Sequence, residues 1–142
     1  MKKKFDFDAE GLVEEAKRAM TAAYAPYSGY FVGAALLTAD GKIYRGCNIE
    51  NSTYTPTNCA ERTAFFKAVS EGERDFSAIA IVGGPKGQIK GFAPPCGVCR
   101  QVMEEFCDVK TFNIVLFDGK ETRVYTLEEL LPLSFGKTDL EL

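Results

Sequence analysis

Phe31-Val32-Gly33-Ala34-Ala35-Leu36-Leu37-Thr38-Ala39-Asp40-Gly41-Lys42-Ile43-Tyr44-Arg45-Gly46-Cys47 reads as two strands joined by a tight turn. Residues 31–38 form an apolar run suited to a buried strand, Asp40-Gly41 is a hairpin-turn pair, and residues 43–47 return. Before the hairpin, Leu12, Val13, Ala16, Ala19, Met20 and Ala23 recur at helical spacing. They predict an amphipathic helix over about residues 9–24, ended by Pro26 and Gly29. After the hairpin, residues 48–57 read as loop, and Asn58 is placed to cap a helix over about residues 59–70, with Gly72 near its end. Residues 77–82 alternate poorly but are strongly apolar and read as a buried strand; residues 83–95 read as a connecting loop. A helix over 96–107, a strand over 112–117, an Asp118-Gly119 turn and a short strand over 123–125 follow. Thr126-Leu127-Glu128-Glu129 has capping-box form and opens a short helix ended by Pro132. Strands alternating with helices predict an α/β fold, a mixed sheet covered on both faces, in one domain over residues 1–142.

Composition narrows the partners. Hydrophobic residues make up 46% of the 142, enough to fill one core, and no low-complexity stretch or internal repeat interrupts them. Lys and Arg total 17 against 20 Asp and Glu, for a net charge of -3. A polynucleotide binder concentrates positive charge to displace counterions from phosphates. Here the basic residues are scattered apart from Lys2-Lys3-Lys4, so a small soluble substrate is expected and nucleic acid is not. The lysine run is followed by Asp6, Asp8 and Glu10 rather than an apolar segment, which is not the form of a secretion signal. No apolar run reaches the roughly 20 residues that span a bilayer. Five cysteines in such a chain predict thiols or metal ligands rather than a disulfide framework, and a cytoplasmic address.

The chemistry concentrates in two short pieces, Cys59-Ala60-Glu61 and Pro95-Cys96-Gly97-Val98-Cys99, in a chain without histidine. A catalytic zinc takes three protein ligands and leaves its fourth position to water. Three thiolates and a carboxylate able to move that water's protons match this pattern. Each piece alone has a plainer reading. Cys-x-x-Cys also occurs in redox pairs and zinc knuckles. Glu61, three residues after Asn58, could simply cap a helix. Their joint occurrence, each opening a predicted helix, favours the zinc centre. Residues two apart on a helix point about 200° away from each other. Cys59 and Glu61 therefore share a site only if Cys59 stands at the helix threshold. Zinc with three thiolates keeps an excess negative charge that weakens its activation of water. Two helix N-termini would offset that charge, and Arg62 could add to them or could be an ordinary exposed helix arginine. Cys47 or Cys107 as a fourth ligand would make the centre structural. Cys107 lies three turns along a helix from Cys96, more than about 10 Å away, and both read better as small buried hydrophobes.

Four blocks in order carry a resemblance: Val32-Gly33-Ala34-Ala35-Leu36, Gly46-Cys47-Asn48-Ile49-Glu50-Asn51, Cys59-Ala60-Glu61-Arg62, and Pro95-Cys96-Gly97-Val98-Cys99-Arg100-Gln101. With the Tyr24-Ala25-Pro26-Tyr27-Ser28 turn and Leu130-Leu131-Pro132, the chain resembles the cytidine deaminase family over nearly its whole length, in the small homotetrameric form with three cysteine ligands. The resemblance implies a three-layer α-β-α sandwich with a mixed five-stranded sheet. It also implies zinc-dependent deamination of cytidine and deoxycytidine in pyrimidine salvage, with one Zn2+ per subunit. It assigns Cys59, Cys96 and Cys99 as ligands, Glu61 as proton shuttle and Arg62 as the charge-balancing arginine. It places Asn48 and Glu50 at the ribose 3'-hydroxyl, the Ala60 N–H at the pyrimidine O2 and the carbonyl of Pro94 at the 4-amino group. Tyr30 stands where a phenylalanine usually stacks on the base, and Pro94 where serine or threonine is common. Tyr54 is implied at the subunit boundary, and Phe135 closes a neighbouring subunit's pocket in the implied homotetramer. Nucleosides are expected over free cytosine. The rival readings are a deaminase of a related cytosine nucleoside such as blasticidin S, an RNA-editing enzyme, and a non-catalytic zinc scaffold.

Overall fold

The computed structural model describes residues 6–142; the Lys2-Lys3-Lys4 run lies outside them. Its elements are α1 (Ala9–Met20), β1 (Tyr30–Thr38), β2 (Ile43–Cys47), α2 (Ala60–Ser70), β3 (Phe76–Pro85), α3 (Gly97–Phe106), β4 (Asn113–Phe117), β5 (Thr122–Thr126), α4 (Leu127–Leu130) and a terminal 3-10 turn, Lys137–Leu140. The strands form one mixed sheet in the order β2-β1-β3-β4-β5. Only β3 and β4 pair in parallel; β1 is antiparallel to both β2 and β3, and β4 to β5.

Two apolar layers sandwich this sheet. On one face Leu12, Val13, Ala16 and Met20 of α1 pack on Ala35, Ala78, Ala80, Val82 and Val115. On the other, Ala60, Ala64, Phe65 and Ala68 of α2 and Cys99 and Met103 of α3 pack on Ala34, Leu36, Ile79, Ile81, Ile114 and Leu116. Successive residues of β3 therefore enter opposite layers. That accounts for the poor alternation of residues 77–82: a strand buried on both faces needs an apolar residue at every position.

The boundaries differ where backbone partners intervene. Helix α1 ends at Met20 rather than 24, because Ala22 and Ala23 switch to i−3 acceptors and Tyr24 pairs with the Asn48 carbonyl (2.9 Å). Strand β3 runs past Val82 to Pro85, since Gly83 and Gly84 keep register with Val32 and Phe31. The helix expected from residue 59 starts at Ala60 with Cys59, not Asn58, as its N-cap; the Asn58 amide turns to Thr63 Oγ1 instead (3.2 Å). The capping box at Thr126 and Glu129 is formed as expected.

Gly46 fixes how α2 sits on the sheet. A Cβ there would stand 2.3 Å from the Ala60 carbonyl oxygen and 2.5 Å from the Ala64 amide nitrogen, so backbone touches backbone. Gly46→Ala must push the first turn of α2 off β2. The expected outcome is a loss of about 1–3 kcal/mol of stability, read as a lower urea midpoint at unchanged slope.

Candidate metal centre and adjoining pocket

Cys59 and Cys96 are the N-caps of α2 and α3, each with extended backbone (φ −78°, ψ 157° and φ −70°, ψ 168°) and neither making a side-chain cap bond. Cys59 thus stands at the helix threshold, which is what lets it share a site with Glu61. Cys99 follows in the first turn of α3 and is 1% exposed. The three sulfurs lie within 4.8 Å of one another, and no other described Cys, Asp or Glu joins them. Cys59 and Cys96 Sγ are 3.8 Å apart. Zn–S bonds of about 2.3 Å in a tetrahedron separate their sulfurs by about 3.8 Å, so this edge already has the dimension zinc requires. Cys47 and Cys107 stay out of the cluster, and burial pushes both of their thiols up.

The surroundings favour anionic sulfur. The Cys59 thiol is pulled below the usual thiol range, chiefly by accepting a hydrogen bond from Cys99 and also by Arg62, while Cys99, the donor of that pair, is pushed up. Arg62 Nη2 donates to Cys59 Sγ at 3.1 Å. Its Nε is buried with no hydrogen-bond partner among the described residues, the state of a guanidinium held by charge beside sulfur. Arg62 is therefore not an exposed surface arginine.

Glu61 is 5% exposed. Burial raises its carboxyl to about 7, against the pull of its own backbone N–H and Arg62 and with the help of the neighbouring Cys59 charge. It lines a cavity of about 230 Å³ with Tyr30, Val32, Asn48, Thr57, Asn58, Cys59, Ala60, Ala93, Pro94 and Cys96. Ala60 opens α2, where an amide N–H has no acceptor within its own helix. Asn48 holds the cavity wall: its Oδ1 accepts from the Val32 amide (2.9 Å) and its Nδ2 donates to the Tyr30 carbonyl (2.8 Å). An amide side chain so used keeps one acceptor and one donor position free.

Glu50 and Tyr54 line a neighbouring groove with Tyr27, Ser28 and Thr57, and Thr57 belongs to both cavities. Tyr54 is 70% exposed with φ +64°, its ring edge-on to Tyr27 at 6.1 Å between centroids. Phe135, 60% exposed, lines neither cavity. Thr57 and Ser28 were not singled out from sequence as site residues. Thr57 sits in a stretch read as loop, and Ser28 meets the site through Glu50, 22 positions away.

A family model describing the cytidine and deoxycytidylate deaminase zinc-binding region matches residues 7–116. The chain is 52% identical over 134 residues to a cytidine deaminase of Sporosarcina psychrophila, covering 94% of this chain and 95% of that one. It is 49% identical over 133 residues to a cytidine deaminase of Halalkalibacterium halodurans, covering 94% and 98%. Among solved structures, a cytidine deaminase from Burkholderia pseudomallei superposes with a TM-score of 0.83 at 47% identity, over 91% of this chain and 100% of the other.

Replacing Cys59, Cys96 or Cys99 singly with Ala is expected to abolish stoichiometric zinc after dialysis. Cys47→Ala and Cys107→Ala keep about one zinc per chain, since neither sulfur is in the cluster. Elemental analysis checks this, and a zinc lost with Cys107→Ala would refute the ligand set.

Proposed function

From its membership of the cytidine and deoxycytidylate deaminase family, to which this chain belongs, we infer that it catalyses zinc-dependent hydrolytic deamination of cytidine and deoxycytidine. The observation that carries the reading is the buried Glu61 carboxyl lining the same cavity as Cys59 and Cys96 beside a three-sulfur cluster.

When bound by Cys59, Cys96 and Cys99, zinc supplies the Lewis acidity that makes water nucleophilic at neutral pH. Glu61 accepts the proton that water releases as its oxygen bonds to C4 of the ring. It passes that proton to N3, then takes the proton of the new C4 hydroxyl and delivers it to the 4-amino group, so the C–N bond breaks, ammonia leaves and the C4 oxygen stays as a carbonyl. A carboxyl raised to about 7 suits both directions of transfer. The Ala60 N–H meets the pyrimidine O2, the Pro94 carbonyl accepts from the 4-amino group, and the Tyr30 ring stacks on the base. Asn48 and Glu50 take the sugar 3'-hydroxyl, so free cytosine, which leaves the Glu50 carboxylate without that donor, is a poor substrate. No basic side chain lines either cavity, in keeping with an uncharged nucleoside.

Tyr54 and Phe135 act between subunits. Both rings are largely exposed and neither lines the Glu61 cavity, which supports a homotetramer in which neighbours complete each site. Sedimentation equilibrium should return four times the chain mass. Monomers with full activity would dismiss the shared-site reading.

Glu61→Gln should keep its zinc yet lose about 10²–10⁴-fold in kcat. The assay follows ultraviolet absorbance with cytidine, deoxycytidine and cytosine in parallel. Near-normal turnover by the variant would remove Glu61 from the mechanism. Rapid use of cytosine by the unaltered enzyme would remove the sugar contacts.

A further inference from the structure

Glu50 is tied to the turn before β1 through three hydrogen bonds. Its Oε1 accepts from the backbone N–H groups of Tyr27 (2.9 Å) and Ser28 (3.1 Å), and its Oε2 accepts from the Ser28 hydroxyl. A carboxylate offers about four acceptor positions. Three are used, and the one that remains belongs to Oε2, the oxygen that Ser28 holds. The same hydroxyl accepts from the Tyr30 amide at 3.0 Å. Tyr30 is a wall of the Glu61 cavity, whereas Glu50 and Ser28 line the adjoining groove. Ser28 therefore joins the two cavities by a single oxygen.

We propose that Ser28 is a positioning residue for the sugar end of the substrate. Its hydroxyl fixes the Glu50 carboxylate relative to Tyr30 so that one acceptor position on Oε2 is left for one substrate hydroxyl. The proposal rests on the reading of Glu50 as acceptor of the sugar 3'-hydroxyl. Without the Ser28 hydroxyl, Oε2 loses its fixed donor, the carboxylate turns about its Oε1 bonds, and the free position no longer faces one place. The same three donors hold the Glu50 carboxyl below the usual carboxylate range, the Ser28 hydroxyl most of all, so the acceptor is ionised. Ser28 is exposed, and its replacement creates no cavity in either apolar layer.

The test compares kcat/KM for cytidine and 3'-deoxycytidine on one enzyme preparation, because their ratio is independent of the fraction of folded, zinc-loaded protein. The unaltered enzyme should favour cytidine by about 10²-fold, as a site built to bond a substrate hydroxyl rejects an analogue that lacks it. In Ser28→Ala that ratio should fall to about tenfold or less, chiefly through the KM for cytidine, and Ser28→Thr should restore it. A Ser28→Ala enzyme that loses activity on both substrates equally, with the ratio unchanged, would overturn the proposal. Ser28 would then only brace the Tyr30 amide. If the unaltered enzyme itself treats the two substrates alike, the fault lies in the reading of Glu50, and the Ser28 proposal falls with it.

Discussion

Mutual repulsion among thiolates governs this architecture. Three sulfurs gathered within 4.8 Å cannot all be anionic unless positive charge surrounds them. A divalent cation leaves one net negative charge, and what remains must come from the protein. The chain uses two helix N-termini, with Cys59 and Cys96 at the cap positions, and one arginine, Arg62, bonded to sulfur. Each helix end contributes about half a positive charge, so together with Arg62 they exceed the remaining negative charge. This solution is costly in topology, because two helices must begin at the same point in space.

The order of elements meets that demand. Helix α2 connects β2 to β3, and α3 connects β3 to β4; both pack on the same face, as the shared apolar layer shows. The parallel pairing of β3 with β4 requires a crossover, and α3 is that crossover. Backbone contact at Gly46 sets the height of the first α2 turn over the sheet. The segment leading to α3 is fastened separately: the Lys86 amide donates to the Gly29 carbonyl (2.8 Å), and Arg100 Nε reaches back to the Pro95 carbonyl (2.7 Å). Since Gly29 immediately precedes Tyr30, the segment that delivers Pro94 and Cys96 is anchored next to another residue lining the same cavity.

Local signals in the sequence were legible and distant ones were not. Asp40-Gly41 marked the hairpin, and the bounds of β2 followed from it; the Thr126–Glu129 box marked α4 because all of its bonds are three residues apart. Asn58 misled, since a preferred cap residue stands beside a cysteine whose backbone is held as the cap. The 3-10 turn at Lys137–Leu140 has no apolar periodicity to announce it. The gathering of Cys59, Cys96 and Cys99 was legible because two short motifs, each weak by itself, occur together and each opens a helix. The Ser28–Glu50 link joins two loop residues across 22 positions, and no short-range pattern encodes it. Phe135 and Tyr54 carry no local pattern of their own; only the resemblance to the family singled them out, and the structure leaves both rings largely exposed.

The absence of histidine makes the placement of Glu61 decisive. With an ordinary carboxyl, near pH 4.5, the residue would be a weak base and would rarely hold a proton at neutrality. Burial moves it to about 7, where it is as ready to take a proton as to give one. Yet burial alone would also favour a permanently neutral acid, as for a carboxyl in an apolar pocket. Here three counterweights, its own backbone N–H, the neighbouring Arg62 and a hydrogen bond with Cys99, pull the other way and hold the group between the extremes. Arg62 thus acts on both partners of the centre, drawing Cys59 toward the thiolate and keeping Glu61 from full neutrality. One cation, adjacent in sequence to the carboxylate and on the turn capped by Cys59, touches both the charge of the sulfur cluster and the proton affinity of Glu61.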